Sequence, residues 1–269
     1  MKEKHHKNED HKTDAFLRFS SKLVNQVIHN KKVILQVMAF VVLGSIGWLG
    51  YSLFQEKQET KATQALYHWE SKIEKLQEKW SESKESSSSS KKEKAPKKKD
   101  NVAKLTKEQK FKKLSPLLEG FQSEILKHKK TKAAIYSAIQ LANIYLTYEK
   151  PQKANEVLNV IKSSLAVSSK HPLYMFFYSM LGRVQTLNNN CQEAIQSYKH
   201  VDKQKVFSFL KPEILYRIGV CQYRLNQWEK ALSTFKQIKE DYSQAFVSQE
   251  AKKYIRLIQL QKAKKEEGV

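Results

Sequence analysis

Small and apolar residues recur in three blocks with nearly constant spacing along the second half of the chain. Each block has an apolar residue followed by a small one, an alanine twelve residues after the small one, a large apolar residue four further on and another three after that. The blocks are Leu141, Ala142, Ala154, Leu158 and Ile161; forty residues on, Leu181, Gly182, Ala194, Tyr198 and Val201; and thirty-seven further on, Ile218, Gly219, Ala231, Phe235 and Ile238. The pattern predicts three antiparallel helical hairpins that cross closely at small residues and stack on one another.

Two further apolar stripes precede these blocks, and each steps alternately by three and four residues, as on one face of a helix. The stripes are Leu66, Trp69, Ile73, Leu76 and Trp80, and then Phe111, Leu114, Leu118, Phe121 and Ile125. Because neither helix can bury its stripe alone, the two are predicted to pair as an antiparallel hairpin. A coiled-coil seam along the first stripe, which would give a homodimer, is the alternative.

The twenty-two residues from Val33 to Phe54 carry no charge and are almost wholly apolar. A helix of this length spans about 33 Å, which is enough to cross the hydrocarbon core of a bilayer. Lys31 and Lys32 flank one end, and Trp48 and Tyr51 lie near the other, where aromatic side chains favour the membrane interface. We therefore expect one transmembrane helix. A cleaved signal peptide is the alternative, but the apolar run is long for one and a 32-residue polar segment precedes it.

The charges on the two sides of this span give a small bias for its orientation. The twenty residues before it contain four Lys or Arg, and the segment after it contains three Lys, at positions 57, 61 and 72. Because cytoplasmic flanks carry the positive excess, the N-terminus is expected in the cytoplasm. Apolar residues between Phe16 and Ile28 fall roughly on one helical face, so this segment is expected to lie on the membrane surface or to extend the spanning helix.

A lysine-rich stretch separates the two stripes and contributes strongly to the net charge of +22. From Lys84 to Lys113 there are twelve lysines and four acidic residues, around a serine run at 86–90. This composition is typical of a solvated linker, and an anionic membrane surface or partner is the alternative. No RNA-binding or DNA-binding motif accompanies the lysines, so nucleic acid is not expected as a partner.

Prolines and an asparagine run mark the ends of several predicted helices. Pro151, Pro172 and Pro212 fall at turns or at first helical residues, where a proline N–H is not missed, and residues 188–190 form a turn. A last helix from about 244 to 264 is expected to cap the stack. Its apolar residues are Ala251, Tyr254, Ile255, Ile258 and Leu260. Seven glycines in the chain and no alternating apolar runs argue against any sheet.

The sequence contains no pattern typical of a catalytic or metal site. It has no glycine-rich phosphate loop, no HExxH and no GxSxG, and its only two cysteines lack the spacing of metal ligands. We therefore expect no enzyme activity, no cofactor and no metal. The cysteines, Cys191 and Cys221, fall in adjacent repeats. They are expected as buried thiols or, in an oxidising compartment, as a disulfide that closes a loop of about thirty residues.

The three blocks resemble tetratricopeptide repeats. Tyr145 occupies the usual aromatic site of the repeat's first helix, whereas the other two blocks carry Gln185 and Gln222 there. No block ends in the usual proline and the spacings exceed those of a regular array, so divergent repeats with uneven curvature are expected. The resemblance implies a concave groove lined by first helices, whose mixture of Tyr and Arg suits an extended peptide; an ordinary solvated face is the alternative. The residues that the resemblance places in this groove are Ile139, Asn143, Arg183, Thr186, Tyr216, Tyr223 and Arg224.

The complete layout resembles the bacterial YfgM-like family of ancillary subunits of the SecYEG translocon. The likeness covers roughly Lys31 to Lys264, with Gly47-Trp48 near the outer end of the span and its most recognisable stretch at Ala138 to Leu158. It implies a single-pass protein of the bacterial inner membrane whose periplasmic hairpins bind Sec translocon subunits, secretory chains and periplasmic chaperones. The Ser/Lys insertion departs from the family. A scaffold for another envelope complex, or an accessory protein that holds an anionic polymer or lipid headgroup, are the alternatives.

Together these features predict an all-α protein, with a single N-terminal transmembrane helix followed by a tetratricopeptide-like α-solenoid of helical hairpins. The predicted divisions are a basic cytoplasmic tail (1–32), the transmembrane helix (33–54), a first extramembrane helix (55–81), a flexible Ser/Lys-rich linker (82–103), the helical-repeat domain (104–264) and a charged tail (265–269).

Overall fold

The computed structural model describes residues 31–88, 105–165, 171–202 and 209–266. These residues form nine α-helices and no strand, which confirms the all-α prediction. The helices are α1 (Lys31–Ser88), α2 (Lys107–Lys127), α3 (Lys132–Thr147), α4 (Pro151–Lys162), α5 (Pro172–Leu187), α6 (Cys191–Asp202), α7 (Lys211–Arg224), α8 (Trp228–Asp241) and α9 (Val247–Glu266). Nearly all of the predicted basic tail, the segment Phe16 to Ile28, most of the predicted linker and the last three residues lie outside the described residues.

The chain divides into two compact units, Met1–Lys57 and Gln58–Val269. The described part of the first unit belongs to α1, in which an apolar window of eighteen residues has a mean hydropathy of 1.8 and no buried residue. Its large side chains from Leu35 to Phe54 are 55 to 77% exposed. A helix of this length and composition is able to cross a membrane. α1 runs without a break from Lys31 to Ser88, so no helix end marks the predicted boundary at residues 54 and 55.

In the second unit, the later part of α1 packs against α2 in the antiparallel direction, as the two stripes predict. The Trp69 ring lies so close to Gly120 that no Cβ fits between them, and the Lys110 Nζ lies 5.6 Å from the centre of the Trp80 ring. All five stripe residues of α2 and three of the five on α1 are buried. Both stripes are therefore covered within one chain, and their burial does not depend on a coiled-coil dimer.

A carboxylate from α1 caps the start of α3. Glu59 accepts hydrogen bonds from the backbone N–H groups of Lys132 (2.7 Å) and Ala133 (3.2 Å), one at each carboxylate oxygen. Thr131 Oγ1 accepts a third from Ala134 N at 3.1 Å. The first amides of a helix have no intrahelical partner and carry partial positive charge, so a carboxylate at this position stabilises α3. The same contact joins α1 to the beginning of the repeats.

The three repeat hairpins are α3–α4, α5–α6 and α7–α8, and the small residue of each first helix sits where the second helix crosses it. A Cβ added at Gly182 would lie 2.6 Å from the Tyr198 ring, and one added at Gly219 would lie 2.7 Å from the Phe235 ring. The first hairpin has an alanine and a leucine at these two positions, both fully buried. Every residue of the repeated pattern is buried, which confirms the predicted close crossing.

The three hairpin turns share one hydrogen-bond pattern although their residues differ. Glu149, Asn189 and Asn226 have φ of 59°, 63° and 57°. The N–H of each bonds to the carbonyl three residues back, and the N–H of the next residue bonds to the carbonyl five residues back, at 2.9, 2.8 and 2.9 Å. This is the Schellman motif, which ends a helix on one left-handed residue. The predicted turn at 188–190 and the prolines at the starts of α4, α5 and α7 are confirmed.

Gln185 and Gln222 occupy the site that Tyr145 has in the first hairpin, and a hydroxyl group of the facing helix holds each of them. Ser197 Oγ donates to Gln185 Oε1 at 2.7 Å, and Thr234 Oγ1 donates to Gln222 Oε1 at 2.8 Å. Each hydroxyl lies twelve residues after its glutamine, at positions where the first hairpin has a buried tyrosine and a buried valine. The second and third hairpins therefore have a matched polar pair at these positions, in which each glutamine oxygen receives a hydrogen bond.

α9 packs on α7 and α8 and covers the apolar face of the last hairpin, as predicted for a capping helix. Its residues Ala251 and Ile258 are fully buried, and the Tyr254 ring stacks on the Phe235 ring with centroids 4.8 Å apart. Leu260, the last of the apolar residues of this helix, is 62% exposed. Residues two apart on a helix point to nearly opposite sides, so Leu260 cannot share the buried face of Ile258.

Candidate protein-binding surface

The first helices of stacked hairpins line one face of a helical-repeat protein, and the later part of α1 joins this face beside α3. Glu59 contacts the start of α3, Glu70 Oε1 accepts a hydrogen bond from Ser137 Oγ at 2.8 Å, and Gln77 lines the same cleft as Thr147, the last residue of α3. These contacts follow the same order along both helices, so α1 runs parallel to α3. α1 therefore acts as an additional first helix ahead of the three repeats.

The predicted groove residues on α3 and α5 differ in exposure. Ile139 is half-buried and packs against the core, and Asn143 is half-buried at the edge of a cleft. Arg183 is exposed. Thr186 is half-buried, and its backbone carbonyl accepts a hydrogen bond from Arg224 Nη1 at 3.3 Å, so the structure brings these two predicted residues together across α5 and α7.

The two predicted tyrosines on α7 pack against α9. The ring centroids of Tyr216 and Tyr223 lie 6.0 and 5.3 Å from that of Tyr254, and the Tyr223 hydroxyl accepts a hydrogen bond from Gln261 Nε2 at 3.0 Å. Burial raises the pKa of the Tyr216 hydroxyl above its ordinary value, and the neighbouring Tyr254 adds to this. Both tyrosines are half-buried, so only part of each ring is open to a ligand on this part of the face.

A cleft between α1 and α3, which we call the α1–α3 cleft, was not predicted from the sequence. It has a volume of about 420 Å³, within the range of ligand-binding clefts. Its lining residues are Glu70, Ile73, Glu74, Gln77, Phe121, Tyr136, Gln140, Asn143, Ile144 and Thr147. Asn143 is the one predicted groove residue among them.

A second pocket of about 390 Å³ adjoins the α1–α3 cleft, and such adjoining pockets can take neighbouring parts of one ligand. The two share Glu70 and Tyr136, and the second pocket also has the exposed Tyr67 and the half-buried Leu173 on its walls. Its lining is mainly apolar. The two pockets together form a continuous surface along α1 and the beginning of the repeats.

The sequence did contain a signal for the α1 wall of this cleft. Glu70, Glu74 and Gln77 are spaced by four and three residues, so they form a polar line on α1 beside its apolar stripe. Such a line is usually a solvated helix face, and only the position of α3 makes it one wall of a cleft.

The grouping of metal-ligating side chains and the two cysteines bear on candidate chemistry among the residues that the structure describes. No group of three or more His, Cys, Asp or Glu side chains in the described ranges could hold a metal ion. Cys191 and Cys221 are both buried free thiols, and Thr186 Oγ1 lies 3.4 Å from Cys221 Sγ. Burial, assisted by Cys191, raises the pKa of the Cys221 thiol to about 12. A thiol with this pKa stays protonated near neutral pH and is a poor nucleophile.

Comparison with known proteins agrees with the helical-repeat assignment. Residues 213–245, which span most of α7 and all of α8, match the tetratricopeptide repeat family. None of the curated proteins compared with the chain matches its sequence. Together with the hairpin packing described above, the matched repeat identifies a tetratricopeptide-type solenoid. Membership of the YfgM-like family stays a prediction.

Two solved structures are similar to the chain at low sequence identity. One is a Podosopora anserina protein described as a kinesin light chain with nearly identical TPR-like repeats, at 15% identity over 58% of this chain and 92% of that chain, with a TM-score of 0.40. The other is MamA, at 16% identity over 61% of this chain and 98% of that chain, with a TM-score of 0.35.

Proposed function

We propose that this protein is a membrane-anchored, non-enzymatic module that binds other proteins through the face formed by its first helices. The observation that carries the proposal is the exposure along this face. The core side of each first helix is buried, while Tyr136, Phe176 and Arg183 on the same helices are exposed. Exposed aromatic and guanidinium side chains favour protein partners, because they combine contact area with directed hydrogen bonds. Binding of this kind requires no catalytic residue.

The predicted groove residues take different parts in this proposal. Arg183 and Arg224 supply guanidinium groups that can bind backbone carbonyls or carboxylates of a partner. Tyr216 and Tyr223 supply the open parts of two aromatic rings, and Asn143 supplies an amide that can pair with a peptide backbone. A segment of partner protein bound in extended form would meet these groups one after another along the face.

The proposed partners are subunits of the bacterial Sec translocon, the secretory chains that pass through it and periplasmic chaperones. The proposed location is the inner membrane, with the N-terminus in the cytoplasm and the repeats in the periplasm. The YfgM-like layout supports these partners, and the exposed apolar stretch Leu35 to Phe54 supports attachment to a membrane. A scaffold for another envelope complex is the second candidate, and the same binding face and membrane segment support it.

Crosslinking in native membranes distinguishes the two candidates. The full-length protein is crosslinked in intact membranes and solubilised in detergent, and the proteins that remain attached are identified by mass spectrometry. We expect Sec translocon subunits together with emerging secretory chains. A reproducible set of other envelope proteins without translocon subunits would reject the Sec assignment and support the scaffold. Recovery of no protein partner at all would contradict the proposed function itself.

A pair of arginine variants tests whether the first-helix face is responsible. Arg183→Ala removes an exposed guanidinium from this face, and Arg256→Ala removes an exposed guanidinium from α9 as a matched control. We expect the first variant to lower the yield of crosslinked partners and the second to leave it unchanged. Equal yields from both variants and the unmodified protein would show that partners bind elsewhere.

A further inference from the structure

We infer that the α1–α3 cleft binds an extended peptide segment of a partner protein that carries lysine or arginine side chains. The inference rests on the proposed function and adds the place and the chemistry of recognition. It is carried by the shape of the cleft, by the hydrogen-bonding groups on its two walls and by the sign of its charge.

The shape and lining of the cleft suit a peptide backbone. Its lining combines the apolar residues Ile73, Phe121 and Ile144 with the amides of Gln77, Gln140 and Asn143, one amide from α1 and two from α3. An amide side chain both donates and accepts, as a peptide group does, so walls of this kind can pair with an extended chain. The stretch from Tyr136 to Thr147 spans about 17 Å along α3, which matches about five residues of extended peptide.

The charge of the cleft selects the side chains of that peptide. Glu70 and Glu74 both line it, and none of the described residues that line it is a lysine or an arginine. The chain as a whole has a net charge of +22, so this surface has the opposite sign to most of the protein. Carboxylates attract an ammonium or guanidinium group and repel an acidic side chain, so a basic peptide is favoured at this place and an acidic one is disfavoured.

The carboxylate of Glu70 is held in position before a basic side chain binds. Glu70 Oε1 accepts a hydrogen bond from Ser137 Oγ at 2.8 Å, which holds the carboxylate at the α3 side of the cleft. A group that is positioned before the ligand arrives loses less conformational entropy on binding. The adjoining pocket, with Tyr67 and Tyr136 on its walls, offers an apolar site for a neighbouring residue of the same peptide. The expected ligand therefore combines a basic side chain with a nearby apolar one.

The test compares two labelled peptides with the full-length protein in detergent by fluorescence polarisation. The peptides are identical except that two central side chains are lysines in one and glutamates in the other. We expect the lysine peptide to bind about tenfold or more tightly than the glutamate peptide, and its affinity to fall as NaCl is raised from about 50 to about 500 mM. Equal affinity for the two peptides would overturn the inference.

Substitution of the two carboxylates locates the binding. Glu70→Gln with Glu74→Gln keeps the size of the side chains, and the new amide oxygen can still accept the Ser137 hydrogen bond. We expect this double variant to bind the lysine peptide about tenfold more weakly, because each exposed ion pair contributes a few-fold. Glu240→Gln with Asp241→Asn, on α8, changes the net charge equally and is expected to have no effect. Equal weakening by both double variants would reject the cleft as the site.

Further outcomes separate this inference from the proposed function. If neither peptide binds while partners are still crosslinked in membranes, the cleft assignment fails and the proposed function stands. If no partner is crosslinked either, both fail. A dimer that forms in the unmodified protein and dissociates in Glu70→Gln with Glu74→Gln would assign the cleft to a second copy of the chain and overturn the peptide reading. A thermal melt of each variant, expected to be unchanged, confirms that the fold is retained.

Discussion

Substitution of Gly219 by alanine tests the close crossing of the third hairpin. A Cβ added at this position would lie 2.7, 2.8 and 3.1 Å from three carbons of the Phe235 ring. Carbon atoms pack without strain at about 3.5 to 4.0 Å, so the ring has to retreat by about 1 Å. It has little room to do so, because Phe235 is fully buried and the Tyr254 ring stacks against it at 4.8 Å.

Two opposing effects set the size of the change. Overpacking of a buried site costs about 1–3 kcal/mol, whereas alanine in the interior of a helix is better than glycine by about 1 kcal/mol. The expected net effect of Gly219→Ala is a loss of about 1 kcal/mol in the free energy of unfolding. For a unit of this size, that loss lowers the melting temperature by about 2–4 °C.

A second substitution, Phe235→Leu, is expected to change Gly219→Ala from destabilising to stabilising. The first hairpin has Ala142 and Leu158 at the two corresponding positions, both fully buried, so an alanine is compatible with a leucine at this crossing. In a Phe235→Leu background the clash is removed and only the helix preference of alanine remains. Gly219→Ala is then expected to stabilise the protein by about 0.5–1 kcal/mol.

The assay is urea denaturation of the four proteins of this cycle, in detergent, followed by circular dichroism at the helix band. Gly44→Ala is the matched control for the glycine change itself, because an added Cβ there meets nothing within 4 Å. The reasoning is refuted if Gly219→Ala has the same effect, in sign and size, with phenylalanine and with leucine at position 235. That result would mean that the ring can move aside and that the small residue is not required by packing.

Three further predictions concern the turns, the polar pairs and the buried thiols. Glu149→Gly should stabilise the protein by about 0.5–1 kcal/mol in urea denaturation, because a non-glycine residue at φ of 59° is strained. Ser197→Ala should destabilise it by about 1–3 kcal/mol in the same assay, because Gln185 Oε1 loses its donor inside the protein. Folding raises the pKa of the Cys221 thiol from an ordinary value of 9.0 to about 12, so on raising the pH this thiol ionises first in the unfolded chain. The stability that the protonated thiol contributes is therefore complete below pH 9 and is lost as the pH rises towards about 12. Denaturation midpoints at several pH values should show a smaller alkaline decline for Cys221→Ala.

Each of these predictions has a control or a contradicting result. For the turn, Asn189→Gly should change stability less than Glu149→Gly, and a loss of stability in Glu149→Gly would show that the exposed ion pair to Lys107 outweighs the strain. For the polar pair, Ser197→Thr should be tolerated, since Thr234 has the same role in the next hairpin. For the thiol, an alkaline decline that is the same with and without Cys221 would assign that decline to other groups.

Most of the fold could be predicted because its helices repeat a periodic pattern. The small residue, the alanine twelve positions later and the large apolar residues after it all proved to be buried. The same local logic predicted the antiparallel pairing of α1 with α2 and the helix starts at proline. Apolar character alone did not decide burial: Leu260 is exposed although Ile258, two residues earlier on the same helix, is buried.

The candidate binding surface could be predicted only in part. The resemblance to tetratricopeptide repeats gave candidate groove residues that lie on α3, α5 and α7, but the exposure of each depends on the neighbouring helix. α9 half-buries Tyr216 and Tyr223, while Arg183 remains exposed. The α1–α3 cleft was missed because its walls are about sixty residues apart in sequence, and no periodicity relates two such segments.

The sequence by itself determined which residues are helical and which side of each helix is apolar, because both depend on neighbours three or four positions away. It also determined that one apolar stretch is long enough to cross a bilayer. Only the tertiary structure decided the pairing of groups that are far apart in the chain. Glu59 caps a helix that begins seventy-three residues later, and hydroxyls of α6 and α8 hold the glutamines of the helices that precede them. Such contacts follow from where whole helices come to lie, and the burial of many side chains at once sets those positions.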